Sequence, residues 1–120
     1  MEFSTERLLI VSAHAADFVW RAGGAIALYA SRGARVRVLC LSYGERGESQ
    51  GLWKKEGMTI ERVKEIRHAE ATKAAEVLGA EIRCFDAGDY PLGVTPQLIE
   101  ELVQEFRSFQ PTCVMTHTPV

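Results

Sequence analysis

Apolar positions along the chain switch between two rhythms, short near-continuous runs and longer stretches at helical spacing. Leu8 to Val11 form the first run, a buried strand over Arg7 to Ser12. At Phe18 the spacing changes: Phe18, Ala22, Ile26 and Tyr29 or Ala30 mark one face of a helix that runs to about Ser31 and is stopped by Gly33. Arg35 to Ser42 (RVRVLCLS) is a second strand, alternating in its first half and continuously apolar in its second. Together these make a βαβ unit of ordinary length.

Tyr43 to Met58 breaks the rhythm with a long polar loop holding four glycines, a length that in compact domains usually marks function or mobility. Thr59 is the N-cap of a second helix, with Glu61 in its first turn and Gly79 closing it after Leu78. Its inward stripe reads Val63, Ile66, Ala74, Val77 and Leu78. At about 100° per residue Arg67 and Glu70 fall within that stripe, so they need partners, each other or a ligand. Glu81 to Phe85 is a third strand, leading into the turn Asp86-Ala-Gly-Asp89-Tyr-Pro. Thr95-Pro96 opens a third helix with Leu98, Leu102, Val103 and Phe106 on its apolar face, and Thr112 to Thr116 is a fourth strand running into His117.

This alternation predicts an α/β fold: a three-layer, Rossmann-like parallel sheet with helices on both faces and right-handed crossovers, as one domain over residues 1–120. A strand order of 3-2-1-4 puts the switch point between the first and fourth strands, with His14 and His117 flanking one crevice. The pattern stops after the fourth strand with no helix to cover it. The expectation is an N-terminal part of a longer protein, with the domain incomplete at its C-terminus and exposed apolar surface that favours a homo-oligomer.

Composition narrows the function. The chain is 120 residues, 47% hydrophobic and 25% charged, as expected of one globular domain, and its net charge of −2 gives no electrostatic case for nucleic acid or an anionic membrane. The opening MEFSTERLLIVSA carries acids where a signal peptide is basic, and no apolar run has the length of a membrane span, so a cytoplasmic protein is expected. Cys40, Cys84 and Cys113 each fall in a strand-like run and read as buried, reduced thiols; their spacing excludes a CxxC-type zinc site.

Reactive residues gather where strands end. His14 and Asp17, three apart on a turn, suit two ligands of one metal, zinc first and other divalent ions next; a catalytic zinc needs three protein ligands and an open position. The plain alternative makes Asp17 a helix cap and His14 a backbone partner. Glu48, on the glycine-bearing loop, is the candidate for acid–base work, with Glu45 behind it; the alternative is a solvated loop charge. Arg67 either clamps a carboxylate or pairs internally with Glu70. Arg46, Arg21 and Asp89 are further candidate substrate contacts, and His117 is a ligand, an acid or a satisfied histidine. His68 reads as surface, and Trp20 and Trp53 as packing. SAHAAD after the first strand has no dinucleotide glycines, and GERGES is no Walker loop.

These residues resemble the zinc-dependent deacetylase superfamily that includes N-acetylglucosaminyl-phosphatidylinositol de-N-acetylase, whose first motif reads His-Pro-Asp-Asp-Glu. Here it stands as His14-Ala15-Ala16-Asp17-Phe18, followed by Gly44-Glu45, by Arg67-x-x-Glu70 leading to Leu78-Gly79, and by Asp86 to Asp89. The resemblance implies zinc on His14 and Asp17. The motif's first Asp, the deacetylases' general base, is Ala16, and a methyl group cannot take a proton from water. SAHAADFVWRAGGAIA with LSYGERGES is similar to one branch, the 4-oxalomesaconate hydratases of gallate and protocatechuate breakdown. That similarity implies a hydro-lyase adding water to a tricarboxylic acid, 4-oxalomesaconate (4-carboxy-2-hydroxymuconate), to give 4-carboxy-4-hydroxy-2-oxoadipate. The other implied activities are zinc-dependent N-deacetylation of an amino-sugar-type substrate, or ligand binding without turnover. The superfamily's third ligand comes from a His-rich motif beyond the fourth strand, which the chain does not reach; His117 is the additional site residue if the site closes within these residues.

Overall fold

The computed structural model describes residues 2–118. Its elements run β1 (Arg7–Ser12), α1 (Asp17–Ser31), β2 (Arg35–Cys40), α2 (Gln50–Trp53), α3 (Ile60–Leu78), β3 (Glu81–Cys84), α4 (Pro96–Phe109) and β4 (Cys113–Thr116). The sheet order is β3-β2-β1-β4, with every pairing parallel. That is the doubly wound arrangement expected from the alternation. The order in which strands are added reverses between β1 and β4, which is where such folds open a crevice at the carboxyl edge.

Alternate residues of the strands feed two cores. Leu8, Ile10, Val36, Val38 and Cys40 face one way and pack with Phe18 and Ile26 of α1 and Ala71 and Ala75 of α3. Leu9 and Leu39 face the other way and meet Phe109 and Leu102 of α4. The second layer is thin, so Phe109 carries much of it. The inward stripe of α4 is Leu98, Leu102, Glu105 and Phe109 rather than one ending on Phe106, which is 38% exposed. Glu105 is tolerated in that stripe because Arg37 reaches its carboxylate at 3.3 Å.

Local signals set the helix ends. Thr59 and Thr95 accept the Arg62 and Leu98 amides through their hydroxyls. Gly79 adopts φ +86° and lies so close to α1 that a β-carbon there would stand 2.9 Å from that of Ala30. Several expectations are corrected. Val77 is 74% exposed, because α3 turns Val63, Ala71 and Ala75 inward and Val77 sits about 200° around from Ala75. Trp20 is 87% exposed for the same reason relative to Phe18, so it is not a packing residue. The loop after β2 contains the short helix α2. Of the three free thiols only Cys40 is fully buried; Cys84 and Cys113 are half-buried. Among the described residues no helix is long and apolar enough to cross a membrane.

Phe109→Ala is expected to cost about 3–5 kcal/mol, read as a lower urea midpoint. A loss below about 1 kcal/mol would mean that α4 is not held through this ring.

Candidate metal centre

The site grows from the end of β1. After Ser12 the chain turns so that the His14 amide donates to Asp17 Oδ2 at 3.0 Å, while the Asp17 amide donates back to the His14 carbonyl at 3.3 Å. This reciprocal turn puts the Asp17 carboxylate in the first turn of α1, where the helix dipole favours a negative charge. It also brings Asp17 Oδ2 within 3.3 Å of His14 Nδ1.

The segment after β2 supplies Glu48. Ser42 Oγ donates to the Ala13 carbonyl at 2.8 Å, Ser49 Oγ donates to the Gly44 carbonyl at 2.8 Å, and Trp53 Nε1 donates to the Glu45 carbonyl at 2.7 Å. Glu45 is buried, its carboxylate accepting the Tyr43 amide at 3.2 Å, so this acid serves the loop. Glu48 folds outward instead, with Oε1 3.7 Å from His14 Nδ1. Gly44 permits the fold, since its φ is +64° and a β-carbon there would meet the Glu48 carboxylate at 2.8 Å.

From the end of β3 comes Asp89. Its carboxylate is almost fully buried and accepts the Arg46 amide at 2.9 Å, the Gly47 amide at 2.8 Å and His14 Nε2 at 3.2 Å. Burial pushes its pKa up, but the Gly47 and Arg46 amides and His14 outweigh that and hold it below the usual carboxylate range. A carboxylate only accepts, so toward Asp89 the 3.2 Å contact has Nε2 as its donor in the tautomer that this hydrogen bond favours. The Nδ1 lone pair is then left facing Asp17 and Glu48. Asp89 is thus spent on orienting His14 and the loop rather than on a substrate contact.

His14, Asp17 and Glu48 offer ligand atoms that all lie within 4.8 Å of one another, the one such cluster among the described residues. Three acceptor atoms converging on one point repel one another unless a cation or a proton lies between them. An imidazole nitrogen with carboxylate oxygens, and a second carboxylate behind the ring, fits zinc or another divalent ion. Glu48 shows the strain of this crowding: its pKa is raised first by burial and then by Asp17, with His14 and Arg67 opposing.

The remaining candidates divide. Arg67 meets both alternatives, pairing with Glu70 at 3.1 Å and pointing another nitrogen at Glu48 at 3.6 Å, while its Nε donates to the Tyr43 carbonyl at 3.2 Å. It lines a small cleft of about 270 Å³ with Ala15, Ala16 and Trp20. Arg21 lines a larger cleft of about 440 Å³ beside Asp17 and His117. Arg46 contributes its amide, and its side chain is exposed outside both clefts. His117 Nε2 lies 3.4 Å from Asp17 but accepts the Ala13 amide at 3.1 Å, the geometry of a satisfied histidine. The roles missed in the sequence were those of Asp89 as ring partner and Gly44 as hinge; neither type of residue in a turn announces such a task.

A family model described as PIG-L, GlcNAc-PI de-N-acetylase, matches residues 9–120. The chain belongs to this family. It is 53% identical over 110 residues to a 4-oxalmesaconate hydratase of Pseudomonas putida, covering 92% of this chain and 43% of that protein. It is also 40% identical over 92 residues to a 1D-myo-inositol 2-acetamido-2-deoxy-alpha-D-glucopyranoside deacetylase of Rhodococcus erythropolis, covering 73% and 31%. Among solved structures, GalB, the 4-carboxy-2-hydroxymuconate hydratase of Pseudomonas putida, superposes with a TM-score of 0.91 at 52% identity, covering 93% of this chain and 47% of that one. An N,N'-diacetylchitobiose deacetylase from Pyrococcus horikoshii shares the fold with a TM-score of 0.79 at 24% identity, covering 91% and 39%. This PIG-L chain spans less than half the length of these relatives.

If Asp89 anchors the loop, Asp89→Ala should speed hydrogen exchange at the Arg46 and Gly47 amides by roughly tenfold or more, the scale of a lost hydrogen bond to a charged group. Unchanged protection at both amides would remove the anchoring role.

Proposed function

We propose that this chain carries the chemistry of a metal-dependent hydratase acting on 4-oxalomesaconate, giving 4-carboxy-4-hydroxy-2-oxoadipate. What supports the reading most is the 53% identity to the Pseudomonas putida hydratase in a chain where Ala16 occupies the place of the deacetylase base and Glu48 instead reaches the His14–Asp17 pair. A divalent metal, zinc first, would be held by His14 and Asp17 with Glu48 at its edge, and would supply Lewis acidity toward an oxo-acid group or water.

The protein groups then have separable tasks. Glu48 takes the proton from the water whose oxygen bonds to one alkene carbon, while the π electrons move toward the conjugated carbonyl; the neighbouring carbon later gains a proton, so the elements of water are added without redox change. Its pKa, raised first by burial, suits a group that must hold a proton transiently. Asp89 keeps Nε2 of His14 protonated and the Glu48 loop in place. Arg67, with Arg21 on the neighbouring cleft, pairs with substrate carboxylates, a task that suits guanidinium geometry. Arg46, exposed on the same loop as Glu48, is a further candidate contact for a substrate carboxylate. Free thiols throughout fit a reducing compartment, and we place the protein in the cytoplasm.

The test supplies zinc and the conjugated tricarboxylate, follows loss of ultraviolet absorbance, and assays acetate release from an N-acetylated amino sugar in parallel. Hydration is expected, with Glu48→Gln lowering kcat by roughly 10²–10⁴-fold and Arg67→Ala acting mainly on KM. Acetate release without hydration would replace the reading with deacetylation, the activity of the Rhodococcus erythropolis relative. In a separate titration wild type should take up one equivalent of zinc and His14→Ala none. Equal uptake by both would move the metal away from this cluster.

A further inference from the structure

Away from the metal cluster, Cys40 and Cys84 stand opposite each other in the register of β2 and β3. Both face the core beneath α1 and α3. Directly paired residues on neighbouring strands are about 4.8 Å apart, within the Cα separation of roughly 4.4–6.8 Å over which a disulfide closes. The two side chains therefore project as neighbours from the same face of the sheet. His68 of α3 lies near enough to favour the ionised form of Cys84, and its ring meets Tyr43 edge-on at 5.7 Å.

The two thiols differ in access and in charge. Cys40 is wholly buried, with Ser12 Oγ 3.5 Å away, whereas Cys84 is half-buried. The neighbouring Cys40 thiol, working against burial and helped by His68, brings the Cys84 thiol down to about 6. Cys40, beside Cys84 and buried, is pushed up and keeps its proton. A half-buried thiol that gives up its proton more readily therefore sits beside a fully buried one that keeps it.

We propose that Cys84 is an oxidation site for small hydroperoxides, with His68 as its positioning partner and Cys40 as the resolving thiol. The Cys84 sulfur attacks the peroxide oxygen, the O–O bond breaks, and sulfur is oxidised by two electrons to the sulfenic acid while the leaving oxygen takes a proton and departs as water or alcohol. Cys40 sulfur then attacks Cys84, the S–S bond forms, and the sulfenic hydroxyl leaves as water with the Cys40 proton. Overall two thiols and one peroxide give one disulfide, one water and one water or alcohol. The bridge would tie β2 to β3 just before the segments that carry Glu48 and Asp89.

Hydrogen peroxide is the probe. The treated chain is alkylated with iodoacetamide and mapped by mass spectrometry, and the expected product links Cys40 to Cys84 within one chain, leaves Cys113 alkylated, and reverts with dithiothreitol. Cys40→Ser should instead leave a dimedone-reactive sulfenic acid on Cys84, and His68→Gln should slow alkylation of Cys84 at neutral pH roughly tenfold. Oxidation of Cys84 no faster than that of Cys113 would overturn the proposal, as would a bridge between Cys84 residues of two chains.

Discussion

The buried carboxylate of Asp89 is the constraint on which the site depends. Removing a carboxylate from water costs several kcal/mol unless its lone pairs are satisfied. Here the satisfying donors come from two other segments, the Arg46 and Gly47 amides after β2 and the His14 ring after β1. One side chain thereby ties three strand ends into a single geometry. Because its demand for donors also sets which His14 nitrogen is protonated, backbone order and ligand chemistry are the same fact at this point. Among the described residues no buried side-chain polar atom lacks a partner, so the arrangement leaves no unmet cost.

Topology explains why those ends meet. A parallel sheet delivers every strand's carboxyl end to one edge, and the order β3-β2-β1-β4 sets β1 centrally, between the donors from β2 and the histidine after β4. The segment after β2 then has to fold back over β1, and it does so through Ser42, Ser49 and Trp53 bonding to main-chain carbonyls rather than through apolar packing. Such a loop is ordered by polar bonds and remains wet at its outer face. That combination suits a segment that must place an acid accurately while leaving room for a charged ligand.

How much of this was legible follows from which interactions are local. Strand runs, the Thr59 and Thr95 caps and the Gly79 stop are short-range events, and they stand where the pattern put them. The strand order was a supposition, since right-handed crossovers allow several doubly wound orders, and the structure has the supposed one. Helix faces were less legible: a hydrophobic residue such as Val77 or Trp20 looks the same on either side of a helix, and only the neighbouring layer decides. Glu105 shows the converse, a charge accepted inward because Arg37 lies on the facing strand, 68 residues away in sequence. The gathering of His14, Asp17 and Glu48 was visible as a shared sheet edge. The use of Asp89 was not, because an aspartate in a turn gives no sign of which distant amides it will accept.

Charge at the centre carries the argument one step further. Asp17, Glu48 and Asp89 surround a single imidazole, and the nearest permanent cation, Arg67, is already shared with Glu70. Asp89 escapes the crowding through its amide donors, whereas the proton affinity of Glu48 is raised first by burial and then by Asp17. A cation at the His14–Asp17 pair would relieve the same repulsion that a proton on Glu48 relieves, so the two compete for one electrostatic niche. An Asp in place of Ala16 would add a further negative charge to the turn that carries His14 and Asp17. The methyl group of Ala16 adds no charge beside His14, and Glu48 stands as the second carboxylate facing the His14 Nδ1 edge.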